Sequence, residues 1–514
     1  MRTPWGGPPC PRGASTPRLW LAALPLALAI SLPLLAADSP GLSARLDQLA
    51  SDPISARATL GIHVLDLQTG KTLYARNENR FFLPASNMKI FTGALALEKL
   101  GPSHRFVTQL VRDPSGNLVL VGGGDPSMSG RAYPYKAGAP VGSPLRAIEE
   151  LATQAVAAGL AQVDGDVVGD DRLYPWSPYP PSWTQGDAQG EDGAPVSALT
   201  INDNLIGVTI RPGVLGEPAP LTLAPALEYF AIDNRVITVA GKGEPRFLVN
   251  RVPGTRQLML SGTMPAGAMP VREIVAMDDP ALYAACALYD ALTRRGVAIH
   301  GRPVARHRSE GEPVPVVAGD VLARRTSPPL KDLLQMLEKV SENLHAELML
   351  RAAGNYAAKG AKQTGAHEPG TREAGLDALA ALIKQTGGVE EDYRLEDGSG
   401  LSRNTQVTPR LVTRMLAHMW ASPERDTWMT LFPVGGEDGT LANRLCCAAD
   451  GSKSDAAHAI VAKTGTLARA LALSGYADSK IRGRLAFSIL VNNFAAPPNN
   501  IRAWIDKMAL ALVE

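Results

Sequence analysis

Ser86-Asn87-Met88-Lys89 sets a hydroxyl and an amine three residues apart. At the start of a helix that spacing puts both side chains on one face. An unprotonated lysine there can take the hydroxyl's proton and make the serine a nucleophile, and the helix N-terminus favours negative charge beside it. No other Ser-x-x-Lys occurs in the chain. Read alone, the segment is equally a helix N-cap with an exposed lysine. A second candidate is Lys463-Thr464-Gly465-Thr466, which leads into an alternating run. Lysine and hydroxyls at a strand start can hold a carboxylate, and glycine leaves room for a substrate backbone; alone it is a turn entering a strand. The third is Ser341-Glu342-Asn343. Two similar tripeptides exist, but Ser115-Gly116-Asn117 follows Asp113-Pro114 and reads as a turn, and Ser402-Arg403-Asn404 sits in a glycine-rich loop. Ser341 instead follows a helical pattern of Leu333, Leu334, Leu337 and Val340.

The surrounding elements must bring these three together. Gly61–Leu67 and Thr72–Arg76 flank Gln68-Thr-Gly-Lys, a hairpin signal. Met88, Phe91, Leu95 and Leu100 keep helical spacing, so a helix begins close to Ser86. From about 102 to 325 short β-rich runs alternate with Gly/Pro/Asp clusters, with helices expected at Ser143–Gly159 and Asp279–Arg295. Long helical patterns return at Leu330–Ala353, Thr371–Thr386 and Thr408–Ala421. Two alternating runs (470–477 and 483–491) and a helix over Asn500–Val513 close the chain. The expected fold class is α+β: a discontinuous domain, residues 38–101 and 326–514, whose sheet joins the first hairpin to the last strands, with 102–325 inserted as β-rich domains.

In this order the three motifs resemble those of penicillin-binding proteins and class A β-lactamases. The chain is similar to the class C low-molecular-mass penicillin-binding proteins, the D-alanyl-D-alanine carboxypeptidase/endopeptidase family, over nearly its whole mature length. Supporting segments are Pro84–Lys89, Gly122-Gly-Gly-Asp-Pro126, Ser341–Leu344, Asp397–Ser402, Asp438-Gly-Thr-Leu441 and Lys463–Thr466. The family carries large inserted domains between its first two motifs, and Ser86 and Ser341 stand 255 residues apart. Glu342 departs from the aspartate common at that position.

The resemblance implies a serine DD-peptidase with a penicillin-binding/β-lactamase-like domain. Ser86 would attack the penultimate D-alanine carbonyl, Lys89 would be the base, and Ser341 would relay a proton to the leaving amine. Asn343 would hold the acyl-side amide; Lys463, Thr464 and Thr466, beside Gly465, would hold the terminal carboxylate. The N–H groups of Ser86 and Thr466 would form the oxyanion hole. An insert-domain aspartate can contact the diaminopimelate amine in this family; Asp170 is the match chosen here, a solvated turn acid being the other reading. Peptidoglycan stem peptides are the expected substrate and β-lactams the expected inhibitors.

The +1 chain of 514 residues is 45% apolar. It shows no basic excess for nucleic acid. No cofactor or metal is implied: among eight histidines there is no His-Glu-x-x-His. His345 is expected on a helix exterior or in the core. Arg2, Arg12 and Arg18 precede an apolar run, Leu19–Ala37, which ends in small residues. This is a secretory signal cleaved near Ala37, which places the mature chain in the periplasm; a retained membrane anchor is the alternative, and peripheral membrane association stays open. Its loss takes three arginines and no acid, carrying the net charge to −2. Cys10 falls in the signal. Cys286 reads as core, and a disulfide from it to Cys446 or Cys447 stays open. Competing functions are a β-lactamase or esterase of the same fold, a non-catalytic peptidoglycan-binding protein, and a metallopeptidase.

Overall fold

The alternating runs at both ends of the chain meet in one sheet. The computed structural model describes residues 41–360, 367–445 and 456–513. Strands β1 (Thr59–Asp66) and β2 (Thr72–Arg76) pair with β3 (Ile460–Leu467), β4 (Ala470–Ser479) and β5 (Gly483–Asn492) in the order β3-β4-β5-β1-β2. Every pair is antiparallel. β1 lies along β5 from Thr59↔Asn492 to Asp66↔Leu485, so the sheet closes only when the two ends of the chain come together.

The sheet is covered on both faces, which is why β4 and β5 are apolar at nearly every position. Side chains alternate across a strand, and β4 serves two layers. Ala472 and Tyr476 join a core built by α1 (Met88–Leu100), α2 (Asn343–Gly360) and α3 (Pro409–Ala421). Leu471, Leu473 and Ala477 join the other, under the helix Leu42–Ala50 and α4 (Pro498–Leu510). α3 starts where Thr408 accepts a hydrogen bond from the Leu411 N–H and Pro409 takes the first helical position.

Between α1 and residue 330 the chain leaves this lobe and returns beside its point of departure. Val107–Arg112 pairs antiparallel with Asp320–Thr326. Ser327 N–H donates to Phe106 O and Phe106 N–H to Ser327 Oγ, both at 2.9 Å, and Leu330 N–H donates to His104 O at 2.8 Å. The intervening residues form a mixed five-stranded sheet backed by helices Arg146–Ala157 and Pro280–Thr293, and two three-stranded sheets. These share a core of their own, including Leu120, Leu151, Ile206, Leu260 and Leu288. Gly41–Glu514 nevertheless make one compact unit.

One expected element differs. The pattern Leu330–Ala353 predicts a single helix, but the chain runs as α-helix over Leu330–Gln335, as a π-turn over Met336–Val340, then breaks. Ser341 adopts a left-handed conformation, φ 72 and ψ 35, and α2 begins at Asn343. Apolar periodicity persists across the break because both pieces face the same core, so it gives no warning of the kink. The segments 1–40 and 446–455 lie outside the described residues, and with them the expected signal and the thiols of Cys446 and Cys447. Cys286 is buried and free. Among the described residues no helix is long and apolar enough to cross a membrane, and no His/Cys/Asp/Glu cluster has a metal-binding arrangement.

Candidate active site

A tight turn, not a helix cap, presents Ser86. Ala85–Asn87 is a single 3-10 turn running into α1, and Ala85 is left-handed at φ 48. Two glycines make room for that turn. A Cβ on Gly400 (φ 80) would lie 1.9 Å from Ala85 O, and one on Gly465 would lie 2.6 Å from Pro84 O. The small residue in Lys463–Thr466 thus accommodates the chain's own nucleophile turn, where sequence reasoning reserved the space for substrate. Asn87 Nδ2 donates to Lys463 O at 3.0 Å and ties turn to strand.

Lys89 is fully buried one turn along. Its Nζ lies 3.0 Å from Ser86 Oγ, 2.6 Å from Asn343 Oδ1 and 3.0 Å from Ser399 O. The last two are acceptors only. A neutral amine donates its two N–H bonds to them and turns its lone pair to the Ser86 hydroxyl. Burial favours that neutral form, lowering Lys89 from 10.5 to about 8. Ser399 O is held in place from behind. Buried Asp397 accepts from the N–H groups of Gly400 and Ser402, the hydroxyls of Ser399 and Thr405, and Trp183 Nε1. Glu347 Oε1 accepts from the Gly398 and Ser399 N–H groups at 2.9 Å.

The second cation faces the same cleft from the sheet. Lys463 Nζ donates to Ser341 Oγ at 2.8 Å and to Thr464 O at 3.2 Å. Burial first, and Lys89 second, lower its pKa from 10.5 to about 7. Thr464 Oγ1 donates to Thr440 Oγ1 at 2.8 Å. β3 is the edge strand, and Ala462 N–H already donates outward to Pro433 O at 3.0 Å. Alternation along an antiparallel strand then points the N–H groups of Thr464 and Thr466 to the same open edge.

The inserted sheets reach back to the Ser341 turn. Arg131 donates to Asp203 Oδ2 at 2.8 Å and also to Glu342 Oε1. Asp203 lies in three consecutive left-handed residues, Asn202–Asn204. Glu342 therefore faces the insert and leaves Ser341 and Asn343 to the cleft. Asn343 Nδ2 donates to Asp192 O at 2.8 Å. His345 is buried in the core, 3.6 Å from Asp203.

The resulting cleft holds about 390 Å3 and is lined by Ser86, Ser341, Asn343, Thr464 and Thr466 among others. Asp170 does not line it. It lies buried on Val167–Asp170 with its carboxylate clamped by the Arg172 guanidinium. Acids that do line it are Asp187 and Asp192, and Asp187 carries an ion pair to Arg403. Arg403 follows a segment legible in the sequence, Asp397–Ser402, and Thr440 lies within another, Asp438–Leu441. Asp187 has no local signal; only the fold brings its loop over the cleft.

Residues 42–512 match the family model described as D-Ala-D-Ala carboxypeptidase 3 (S13) family. The chain is 34% identical to the D-alanyl-D-alanine carboxypeptidase of Actinomadura sp. (strain R39), covering 96% of this chain and 88% of the relative. It is 23% identical to D-alanyl-D-alanine carboxypeptidase DacB of Haemophilus influenzae over 85% of this chain and 86% of the relative. The crystal structure of penicillin binding protein 4 from Haemophilus influenzae superposes with a TM-score of 0.75 at 21% identity, covering 91% of this chain and 98% of that one. The fold is that of a penicillin-binding protein with additional domains, and the chain belongs to the D-Ala-D-Ala carboxypeptidase (S13) family of serine peptidases.

Proposed function

We propose that this chain hydrolyses the terminal D-alanyl-D-alanine bond of peptidoglycan stem peptides through an acyl intermediate on Ser86. One observation carries the reading: the Lys89 amine spends its donors on Asn343 Oδ1 and Ser399 O and aims its remaining valence at Ser86 Oγ. As Ser86 Oγ bonds to the carbonyl carbon of the penultimate D-alanine, its proton passes to Lys89. The oxyanion meets the N–H groups of Ser86 and Thr466 on the open edge of β3. Lys463, with the Thr464 and Thr466 hydroxyls, holds the terminal carboxylate. When the peptide C–N bond breaks, the proton Lys89 took from Ser86 is relayed through Ser341, hydrogen-bonded to Lys463, to the departing amine, which leaves Ser341 neutral and Lys89 free to take a proton from the attacking water and return it to Ser86. Water then cleaves the ester and frees Ser86.

Asp187, on the cleft wall, replaces Asp170, which does not line the cleft, as the acid offered to a diaminopimelate amine, which would take the place of its exposed partner Arg403. Export by the N-terminal segment would place the enzyme outside the cytoplasmic membrane, beside its substrate. β-Lactams would acylate Ser86 as substrate mimics.

The test is release of D-alanine from a diaminopimelate-containing peptide ending in D-alanyl-D-alanine. Wild type is expected to release it and Ser86→Ala to release none; equal release by both would sink the reading. Amidating the C-terminus should cost about tenfold or more in kcat/KM, since the carboxylate's charged hydrogen bonds contribute about 1.5–3 kcal/mol. Acylation should climb with pH as Lys89 loses its proton, with the limb centred near 8 where an exposed lysine would place it near 10.5. A limb above pH 10 would show that burial does not hold Lys89 neutral.

The insert's hold on the Ser341 turn is also testable. Arg131→Ala leaves buried Asp203 and half-buried Glu342 without their shared cation, and is expected to lower stability by about 3 kcal/mol and to slow acylation. Thermal melting and penicillin labelling measure the two. An unchanged melt would show that Arg131 does not anchor the turn.

A further inference from the structure

Glu338 is a buried acid with no role in the chemistry above. It lies in the π-turn, three residues before Ser341, and is 0% exposed. Neither carboxyl oxygen has a hydrogen-bond partner among the described residues. Such a group is costly to bury unless a charge answers it. Its nearest structural feature is a gap in α1. Gly93 follows Lys89 by one turn, and a Cβ there would lie 2.7 Å from Glu338 Oε1, with the Trp428 ring beyond at 3.6 Å. The carboxyl thus rests against the backbone of the helix that carries Lys89, in space that only glycine leaves.

The charges it meets are the two site lysines. Lys89 from α1 and Lys463 from β3 both act on Glu338, and burial raises it from 4.5 to about 7 against their pull. Other charged groups on the elements around it have partners. Lys339 is held by Asp438, Glu342 by Arg131, and Glu347 by the Gly398 and Ser399 N–H groups and Arg351. The two amines have opposite duties: Lys89 must be neutral to accept a proton, and Lys463 must be charged to hold a carboxylate.

We propose that Glu338 is a positioning residue, the counter-charge that lets the buried Lys89–Lys463 pair keep one proton between them. This deepens the acyl-Ser86 reading and rests on it. An ionised Glu338 balances one ammonium. Without that charge, the site is left to choose between a neutral Lys463, which loses the substrate carboxylate, and a cation buried without compensation.

The experiment is the pH profile of acylation by benzylpenicillin, and of D-alanine release, for wild type, Glu338→Gln and Glu338→Asp. Removing a negative charge lowers the pKa of neighbouring lysines. Both limbs of the Glu338→Gln profile should move to lower pH, by about one unit. KM for the carboxylate-ended peptide at pH 8 should rise about tenfold as Lys463 loses its proton. Glu338→Asp should keep the wild-type limbs. A purely structural role would lower the rate and leave both limbs in place, and that result would overturn the proposal. Should the variants not fold, infrared titration of the wild-type enzyme decides. A buried carboxyl band titrating near neutral pH, and perturbed on acylation, supports the proposal; its absence overturns it. Labelling that persists in Ser86→Ala would overturn the acyl-Ser86 reading instead, so the two failures are distinguishable.

Discussion

Replacing Lys89 by methionine is expected to slow acylation of Ser86 about a thousandfold, with the protein still folded. Methionine fills most of the buried volume, so the core of α1 survives. What is lost is the one group among the described residues that lies within 3.0 Å of Ser86 Oγ and can take its proton, and general-base contributions run to about a hundred- to ten-thousandfold. Asn343 Oδ1 and Ser399 O would also lose their shared donor, at a cost of about 1–3 kcal/mol per unsatisfied group. Stopped-flow acylation by a chromogenic cephalosporin, beside a melting curve, separates the effects. A rate within tenfold of wild type would show that another group is the base.

Asp397→Ala is expected to act through the scaffold with nearly equal force. Asp397 is fully buried and accepts from two backbone N–H groups, two hydroxyls and one indole. Alanine strands all of these donors at once, which should destabilise the protein by about 3–5 kcal/mol. The loop also sets Ser399 O against Lys89 and Gly400 under Ala85. Acylation should therefore fall even at temperatures where the variant is folded. Asp397→Asn keeps acceptor capacity on one oxygen and should lie between. Chemical denaturation and labelling at low temperature measure both quantities; an Asp397→Ala protein with wild-type stability would contradict this account of the loop.

Much of the site was legible because its chemistry is local in sequence. Ser86 and Lys89 stand three residues apart, and Lys463–Thr466 share one strand, so spacing singled out each segment and the family resemblance assigned its role. The break at Ser341 was not legible. Leu333, Leu337, Leu344 and Leu348 face one core on both sides of it, and hydrophobic periodicity records the core, not the backbone angle between. Asp170 was chosen from its local sequence, yet its neighbour Arg172 is two residues away and satisfies it. Asp187 reaches the cleft only through the packing of the insert on the helical lobe, which no short segment encodes. Glu338 shows the same limit. In sequence it is one acid in an amphipathic stretch, and its burial against α1 depends on a glycine in that other helix.

The central claim, that Ser86 is the acylated nucleophile, is tested most directly by labelling the mature protein with a fluorescent penicillin and mapping the adduct by mass spectrometry, beside Ser86→Ala. The account predicts a stable adduct on the peptide containing Ser86 and none in the variant. An adduct elsewhere, or none in a folded wild-type sample, would contradict it, and rapid turnover of the drug would mark a β-lactamase.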